Sequence, residues 1–214
     1  MPTTLPWSLV IPVKRPEFAK TRLADTVGEL RPHIARAFAA DTAAAALACA
    51  LVEDVTVVTD DDESAQRLRS LGALVVADAP DAGLNAALRH GAAEVRARRP
   101  DAPVAALSAD LPALRPAELE QALGAASEHP VSFVADVAGV GTTLYACASG
   151  SPFEPRFGGR SRAAHREAGA VELDVAAIPS VRRDVDTAVD LWDATRLGLG
   201  PHTQAAVAQL DNVR

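Results

Sequence analysis

Four consecutive residues near the carboxyl end, Asp184-Val185-Asp186-Thr187, carry the clearest chemistry in the chain. Carboxylates at i and i+2 leave the same face of an extended strand, so Asp184 and Asp186 could grip one hard cation, or two neighbouring ones, between them. Oxygen donors in that arrangement suit Mg²⁺. Asp110 closes the apolar run from Val104 to Ala109, just ahead of Leu111-Pro112, and the three aspartates together read as a divalent-metal site at strand ends. A structural role competes: Asp186-Thr187 precedes a helical pattern through Ala188, Val189, Leu191, Trp192, Thr195 and Leu197, where either residue could cap the first turn.

Positive charge forms two islands. Lys14, Arg15, Lys20 and Arg22 face only Glu17, and Arg156, Arg160, Arg162 and Arg166 gather around His165. In a chain of net charge −7 this pattern suggests a small, strongly anionic ligand and argues against a general nucleic-acid binder, which carries an excess of Lys and Arg. Short charge runs also serve simply as solvated faces, and His165 reads as a residue on an exposed helix face.

The elements that must position these residues follow from the apolar pattern. The chain has 214 residues, 49% hydrophobic and 23% charged, enough to bury a sizeable core. Strands are expected near 7–13, 54–59, 73–77, 103–108, 131–136, 142–148 and 181–185, and helices near 28–50, 61–71, 83–98, 116–126, 187–197 and 203–212. That alternation predicts a three-layer α/β domain with a mostly parallel sheet, spanning 1–214 as one unit. Asp60 with Glu63, and Thr187 with Asp190, have the spacing of helix starts, and Gly72, Gly124 and Gly198 sit where left-handed residues end helices. The stretch 138–170, rich in Gly, Pro, Ser and Arg, reads as an excursion over the sheet; long irregular connections tend to carry function.

Several classes are excluded or weakened. No P-loop, Gly-x-Gly-x-x-Gly, His-Glu-x-x-His or Gly-x-Ser-x-Gly motif occurs. No apolar run approaches a membrane span and no secretory signal pattern opens the chain, so no membrane partner and a cytoplasmic location are expected. Cys49 and Cys147 lack companion ligands and read as buried small residues.

The first strand runs through Val10-Ile11-Pro12-Val13-Lys14 into Ala19-Lys20-Thr21-Arg22-Leu23. A strand leading into a cationic loop is what a nucleoside triphosphate needs where no P-loop exists: Lys supplies a mobile point charge, Arg a fixed fork for phosphate oxygens. Here the chain resembles the phosphoenolpyruvate/2-phospho-L-lactate guanylyltransferase family, which makes an activated intermediate of coenzyme F420. The resemblance runs in order through the blocks just quoted, Gly83-Leu84-Asn85-Ala86-Ala87-Leu88, Ala109-Asp110-Leu111-Pro112, Ser132-Phe133-Val134-Ala135-Asp136, Gly141-Thr142-Thr143, Pro155-Arg156-Phe157-Gly158 with Ser161, and 184–187. Each block is short; their joint order is specific.

The resemblance implies a nucleotidyltransferase fold similar to glycosyltransferase A, with ligands beyond the carboxyl ends of the strands. It places GTP phosphates against Lys14, Lys20 and Arg22, the nucleoside near Asn85, and Mg²⁺ on Asp110, Asp184 and Asp186. A phosphorylated three-carbon acid would lie on Thr143, Gly158 and Ser161, with Arg160 or His165 nearby. Members often show Gly-Thr-Asn or Gly-Thr-Gly-Thr where this chain has Gly141-Thr142-Thr143, so the threonine is assigned to Thr143 across a one-residue ambiguity. Asp110, Lys14 and Arg22 would be the catalytic group, and phosphoenolpyruvate the expected acceptor. A 2-phospho-L-lactate enzyme, a molybdenum-cofactor or sugar-phosphate nucleotidyltransferase, and a non-catalytic nucleotide-binding regulatory module remain the alternatives; the Lys/Arg-rich loop without Gly before Gly28 counts against the second.

Overall fold

Trp-Ser-Leu-Val-Ile-Pro, residues Trp7–Pro12, forms strand β1 and is buried almost throughout. A run apolar on both faces belongs at the centre of a sheet covered on both sides. β1 pairs in parallel with β2 (Val52–Val58) and β4 (Val104–Leu107), and β2 pairs in parallel with β3 (Leu74–Val76). The computed structural model describes residues 5–15, 23, 27–79, 81–174 and 176–211.

Seven strands make one sheet in the order β3-β2-β1-β4-β6-β5-β7, with β5 at Val131–Ala135, β6 at Thr142–Cys147 and β7 at Val171–Glu172. Only β6 runs against its neighbours β4 and β5, and β7 is parallel to β5. The carboxyl ends of β1 to β5 therefore share one edge with the start of β6. Thr142, Thr143 and Asp110 are brought to that edge by topology.

Helices cover both faces. α1 (Arg31–Leu47, entered through a 3₁₀ turn at Gly28–Leu30), α2 (Asp62–Ser70) and α4 (Pro116–Ala126) pack on one side around Leu9, Ile11, Val57, Leu107, Leu119 and Leu144. α3 (Leu84–Arg98) and the segment after β6 pack on the other around Val10, Val58, Leu88, Phe133 and Tyr145. α3 lies so close to the sheet that a Cβ at Gly91 would meet Val10 Cγ1 at 2.5 Å and Val58 Cγ2 at 2.8 Å. A third cluster joins the outer face of α1 to α7 (Ala188–Leu197) and α8 (Pro201–Asp211). The layers are those expected.

Three local expectations are corrected. The strand at 181–185 is absent: Pro179–Arg182 forms a short helix, α6, since Pro at the first position presets helical φ, and the buried Val181 and Val185 belong to a helix and its exit. The true seventh strand has two residues, too few for a periodic signal. The excursion contains a helix, α5 (Ser161–Glu167).

Turn signals held in most places. Thr187 and Asp190 form a reciprocal capping box at α7. Asp61, one residue after the expected start, caps α2 by accepting from Ser64 N at 2.8 Å. Gly72 and Gly198 have positive φ, whereas Gly124 lies inside α4. Both cysteines are buried. No helix among the described residues is long and apolar enough to cross a membrane.

Candidate active site

Where β1 gives way to Val13 and Lys14, the sheet edge opens into a cleft of about 280 Å³ lined by Pro12, Val13 and Lys14 on one side and by Leu107, Ser108, Ala109 and Asp110 on the other. Arg36 and Phe38 of α1, Leu84 of α3 and Phe157 complete its walls. A second hollow of about 300 Å³ shares Pro12, Val13, Lys14 and Leu84 and continues past Arg15 to Asp60, Asp78 and Asp81. Lys14, exposed at the junction, can reach an anion in either. Lys20 and Arg22 lie outside the described residues.

Asp110 is half-buried, and its loop is held from below by a hydroxyl. Thr42 Oγ1 lies 2.8 Å from Phe38 O and 3.2 Å from Ala109 O, to which it donates, and accepts from Leu111 N at 3.0 Å. Its neighbour Asp41 accepts from His202 N and Thr203 N at 3.0 and 2.7 Å, capping α8 from another helix. Neither role is legible from local spacing, although two polar residues inside the run Ala39-Ala40-Asp41-Thr42-Ala43-Ala44 are a signal that the helix serves something besides packing.

The 184–187 segment reaches the site without a strand. Val185 N donates to Asp110 O at 3.0 Å, so the buried Val185 ties the two acidic segments together with half-buried Asp184 and exposed Asp186 on either side. Among the described residues no three His, Cys, Asp or Glu side chains converge at metal-holding spacing. The donors that these two tied segments carry are carboxylates, which fit Mg²⁺ in kind. That ion is usually held by one or two carboxylates together with substrate phosphates and water, not by an all-protein cage.

Arg36 grips Asp61 through Nε and Nη2, both at 2.9 Å, and Glu63 through Nη1 at 2.8 Å. The guanidinium holds the Asp61 carboxyl well below the usual carboxylate range. This anchor joins α1 to the start of α2 at the cleft wall, and it was missed because the partners are remote in sequence.

The residues that the resemblance assigns to the acid lie on β6 and in the segment after it. Gly158 has φ of 104° and open space where a Cβ would stand, so its requirement is backbone conformation. Ser161 opens α5 and is buried. Thr143 is fully buried on β6; its carbonyl accepts from Ser108 N at 2.8 Å, while its Oγ1 has no hydrogen-bond partner among the described residues. Thr142 instead meets His165. Asn85 Nδ2 donates to Phe157 O at 2.9 Å and Phe157 N donates to Asn85 Oδ1 at 2.8 Å, so this amide is engaged in holding the loop.

His165 corrects the expectation of an exposed side chain: it is 1% exposed, because the buried face of α5 carries it under Phe157. The basic island is also partly neutralised. Arg162 and Arg166 both pair with Glu172, at 3.0 and 2.9 Å, which leaves Arg156 and Arg160 exposed without an ion pair among the described residues.

Comparison with known proteins agrees with this architecture. Over 205 residues the chain is 59% identical to the phosphoenolpyruvate guanylyltransferase of Streptomyces coelicolor, covering 95% of this chain and 97% of that protein. It is 59% identical over 206 residues to the protein of that name in Thermomonospora curvata, with 96% and 90% covered. Among solved structures, a Desulfovibrio desulfuricans protein described as a nucleotide-diphospho-sugar transferase superposes with a TM-score of 0.70 at 19% identity, covering 96% of this chain and 95% of that one. A nucleotidyl transferase from Methanothermobacter superposes at 0.56 with 22% identity, over 89% and 97%. Those two likenesses establish the nucleotidyltransferase fold. A family profile described as "Guanylyl transferase CofC like" matches residues 7–210, and the chain belongs to that family.

Proposed function

We infer that the protein transfers GMP from GTP to phosphoenolpyruvate, giving enolpyruvoyl-2-diphospho-5′-guanosine and pyrophosphate, the activated intermediate in coenzyme F420 assembly that the resemblance implies. The observation that carries the site assignment is that Lys14 and Asp110 line one cleft whose Asp110 loop is tied by its backbone to 184–186. Full-length relatives at 59% identity carry the name of the reaction.

In this reading a phosphate oxygen of the acid attacks the α-phosphorus of GTP, a new P–O bond forms, and the bond to the β-phosphate breaks to release pyrophosphate. A phosphate monoester has a second pKa of about 6, so the nucleophile is already ionised and needs no general base. The main obstacle is repulsion between two polyanions, met by positioning and positive charge. Lys14, with Lys20 and Arg22 further along the sequence, would neutralise the leaving pyrophosphate. Asp110 with Asp184 and Asp186 would hold Mg²⁺, which would supply positive charge to the reacting phosphates. Gly158, Ser161 and the orphaned Thr143 hydroxyl would receive the carboxylate and phosphate of the acid.

Phosphoenolpyruvate and 2-phospho-L-lactate share both anionic groups and differ in planarity at the central carbon. Selection is therefore expected in kcat/KM, which compares transition states. Pyrophosphate release from GTP, followed with phosphoenolpyruvate, 2-phospho-L-lactate and 3-phosphoglycerate, tests the reading. Phosphoenolpyruvate should give the highest kcat/KM. Turnover of phospholactate alone would change the acceptor, and no turnover with any of the three would remove the reaction.

A further inference from the structure

Beneath the acceptor side lies a side-chain arrangement that the transfer chemistry leaves unused. His165 is buried although Arg166 and Glu167, next to it on α5, stand in solvent. Its ring stacks on Tyr145 with centroids 4.6 Å apart, and Phe133 and Phe157 close the box at 5.4 and 5.5 Å. Both ring nitrogens are engaged. Arg156 N donates to Nε2 at 2.8 Å, and Nδ1 lies 3.0 Å from Thr142 Oγ1.

A backbone amide can only donate, so Nε2 is the bare nitrogen and the ring proton sits on Nδ1, facing Thr142. A doubly protonated ring would leave the Arg156 amide without its acceptor. Burial, and then the Arg156 charge, push the imidazole pKa down to about 4, the direction that keeps the ring neutral. On the other side of the same loop Asn85 holds the peptide groups of Phe157. Two consecutive residues are thus gripped from α5 and α3, immediately before Gly158 and Ser161.

Packing alone does not ask for an imidazole here. A phenyl ring would fill a box of Phe and Tyr without the cost of burying polar nitrogens. What the imidazole adds is a tie between β6, the strand of Thr143, and the loop of Gly158. We propose that His165 is a positioning residue of the acceptor site: fixed between Thr142 and the Arg156 amide, it holds loop 156–161 in the conformation that receives the phosphorylated acid. The proposal rests on the guanylyltransferase reading and adds a selectivity to it, because the tied residues lead directly into Gly158 and Ser161, which that reading assigns to the acid.

The test compares His165→Phe, which keeps a ring and loses both hydrogen bonds, with His165→Gln, whose amide oxygen can take the place of Nε2 opposite Arg156 N. Removing the acceptor of a buried amide should raise KM for phosphoenolpyruvate about tenfold in the Phe variant, with KM for GTP unmoved; the Gln variant should recover most of the loss. If His165→Phe does not fold, His165→Asn replaces it, since its shorter amide reaches only the Nδ1 position and leaves Arg156 N unserved. An unchanged acid KM in the variant lacking the tie, equal rises in both KM values, or no recovery with Gln would each overturn the proposal, as would ¹⁵N spectra placing the ring proton on Nε2. If the parent enzyme turns over and the contrast is missing, the proposal falls alone. If the parent releases no pyrophosphate with any three-carbon acid, the functional reading falls with it.

Discussion

The Asp110 loop and the Arg156–Phe157 loop border one cleft but are held by opposite means. The first exposes charge and hides its support: Thr42 from α1 and the Val185 amide fix the main chain, leaving Lys14 and Asp186 exposed and Asp184 half-buried. The second is held by uncharged anchors: His165, inside an aromatic box, grips one residue while half-buried Asn85 holds the next. In the proposed reaction the first edge would act through charges that touch phosphate, and the second through uncharged groups that never need to touch the acid.

Substitutions should separate the two regions, and the largest effect belongs to the charged edge. Asp186→Asn and Asp110→Asn should each lower turnover at least ~100-fold, more than a typical loss of an outer hydrogen bond around a metal, with thermal unfolding barely moved for Asp186. Near-normal activity at limiting Mg²⁺ would remove the metal assignment and, with it, the chemical role of this edge. Arg22→Ala should weaken GTP binding by ~1.5–3 kcal/mol, the range for hydrogen bonds to charged groups, without changing acid affinity; titration calorimetry with each ligand decides this.

A pH experiment probes the other region. The His165 pKa is lowered to about 4 in the folded protein against an ordinary value of 6.5, so between those values the unfolded chain binds the extra proton. Stability from this group is fully present above pH 6.5 and is lost as pH falls through 4, by roughly 3–3.5 kcal/mol at about 1.4 kcal/mol per pKa unit. Urea denaturation across that window should show the slope in the parent and a shallower one in His165→Gln. Equal slopes would mean the imidazole is not the buried neutral group described.

Smaller effects test the supports. Thr42→Val removes the acceptor of Leu111 N at nearly constant volume and should cost about 1–2 kcal/mol in urea denaturation, the penalty of a buried donor left unpaired, while lowering turnover through Asp110. If stability falls and turnover does not, Thr42 serves the fold alone. Thr187→Ala breaks the capping box at α7 and should cost about 1 kcal/mol, with GTP affinity unchanged. A large loss of activity there would extend the charged edge into the helix that follows it.

Much of this was legible before the fold. The alternation of apolar runs and Ala-rich helices identified six of the seven strands and the layered class, and the capping box at Thr187 could be read from four adjacent residues. Local chemistry suffices for such features because their partners are neighbours in the chain. The 181–185 strand failed for the same reason: Val181 and Val185 are apolar, and nothing nearby reports that α6 and a backbone bond to Asp110, not a sheet, account for that segment.

The amino-acid sequence by itself therefore determined the fold class, the two basic islands, the aspartates and the family resemblance, since these reside in composition, short spacing and motif order. Tertiary structure alone decided which of those groups meet. Thr42 reaches Leu111 across 69 residues and Asn85 reaches Phe157 across 72, distances that only the strand order closes. It also turned His165 inward and paired Arg162 and Arg166 with Glu172. A side chain's charge and hydrogen-bonding capacity are written in its residue type, but whether it faces water, a partner or a ligand depends on which distant segment the sheet places beside it.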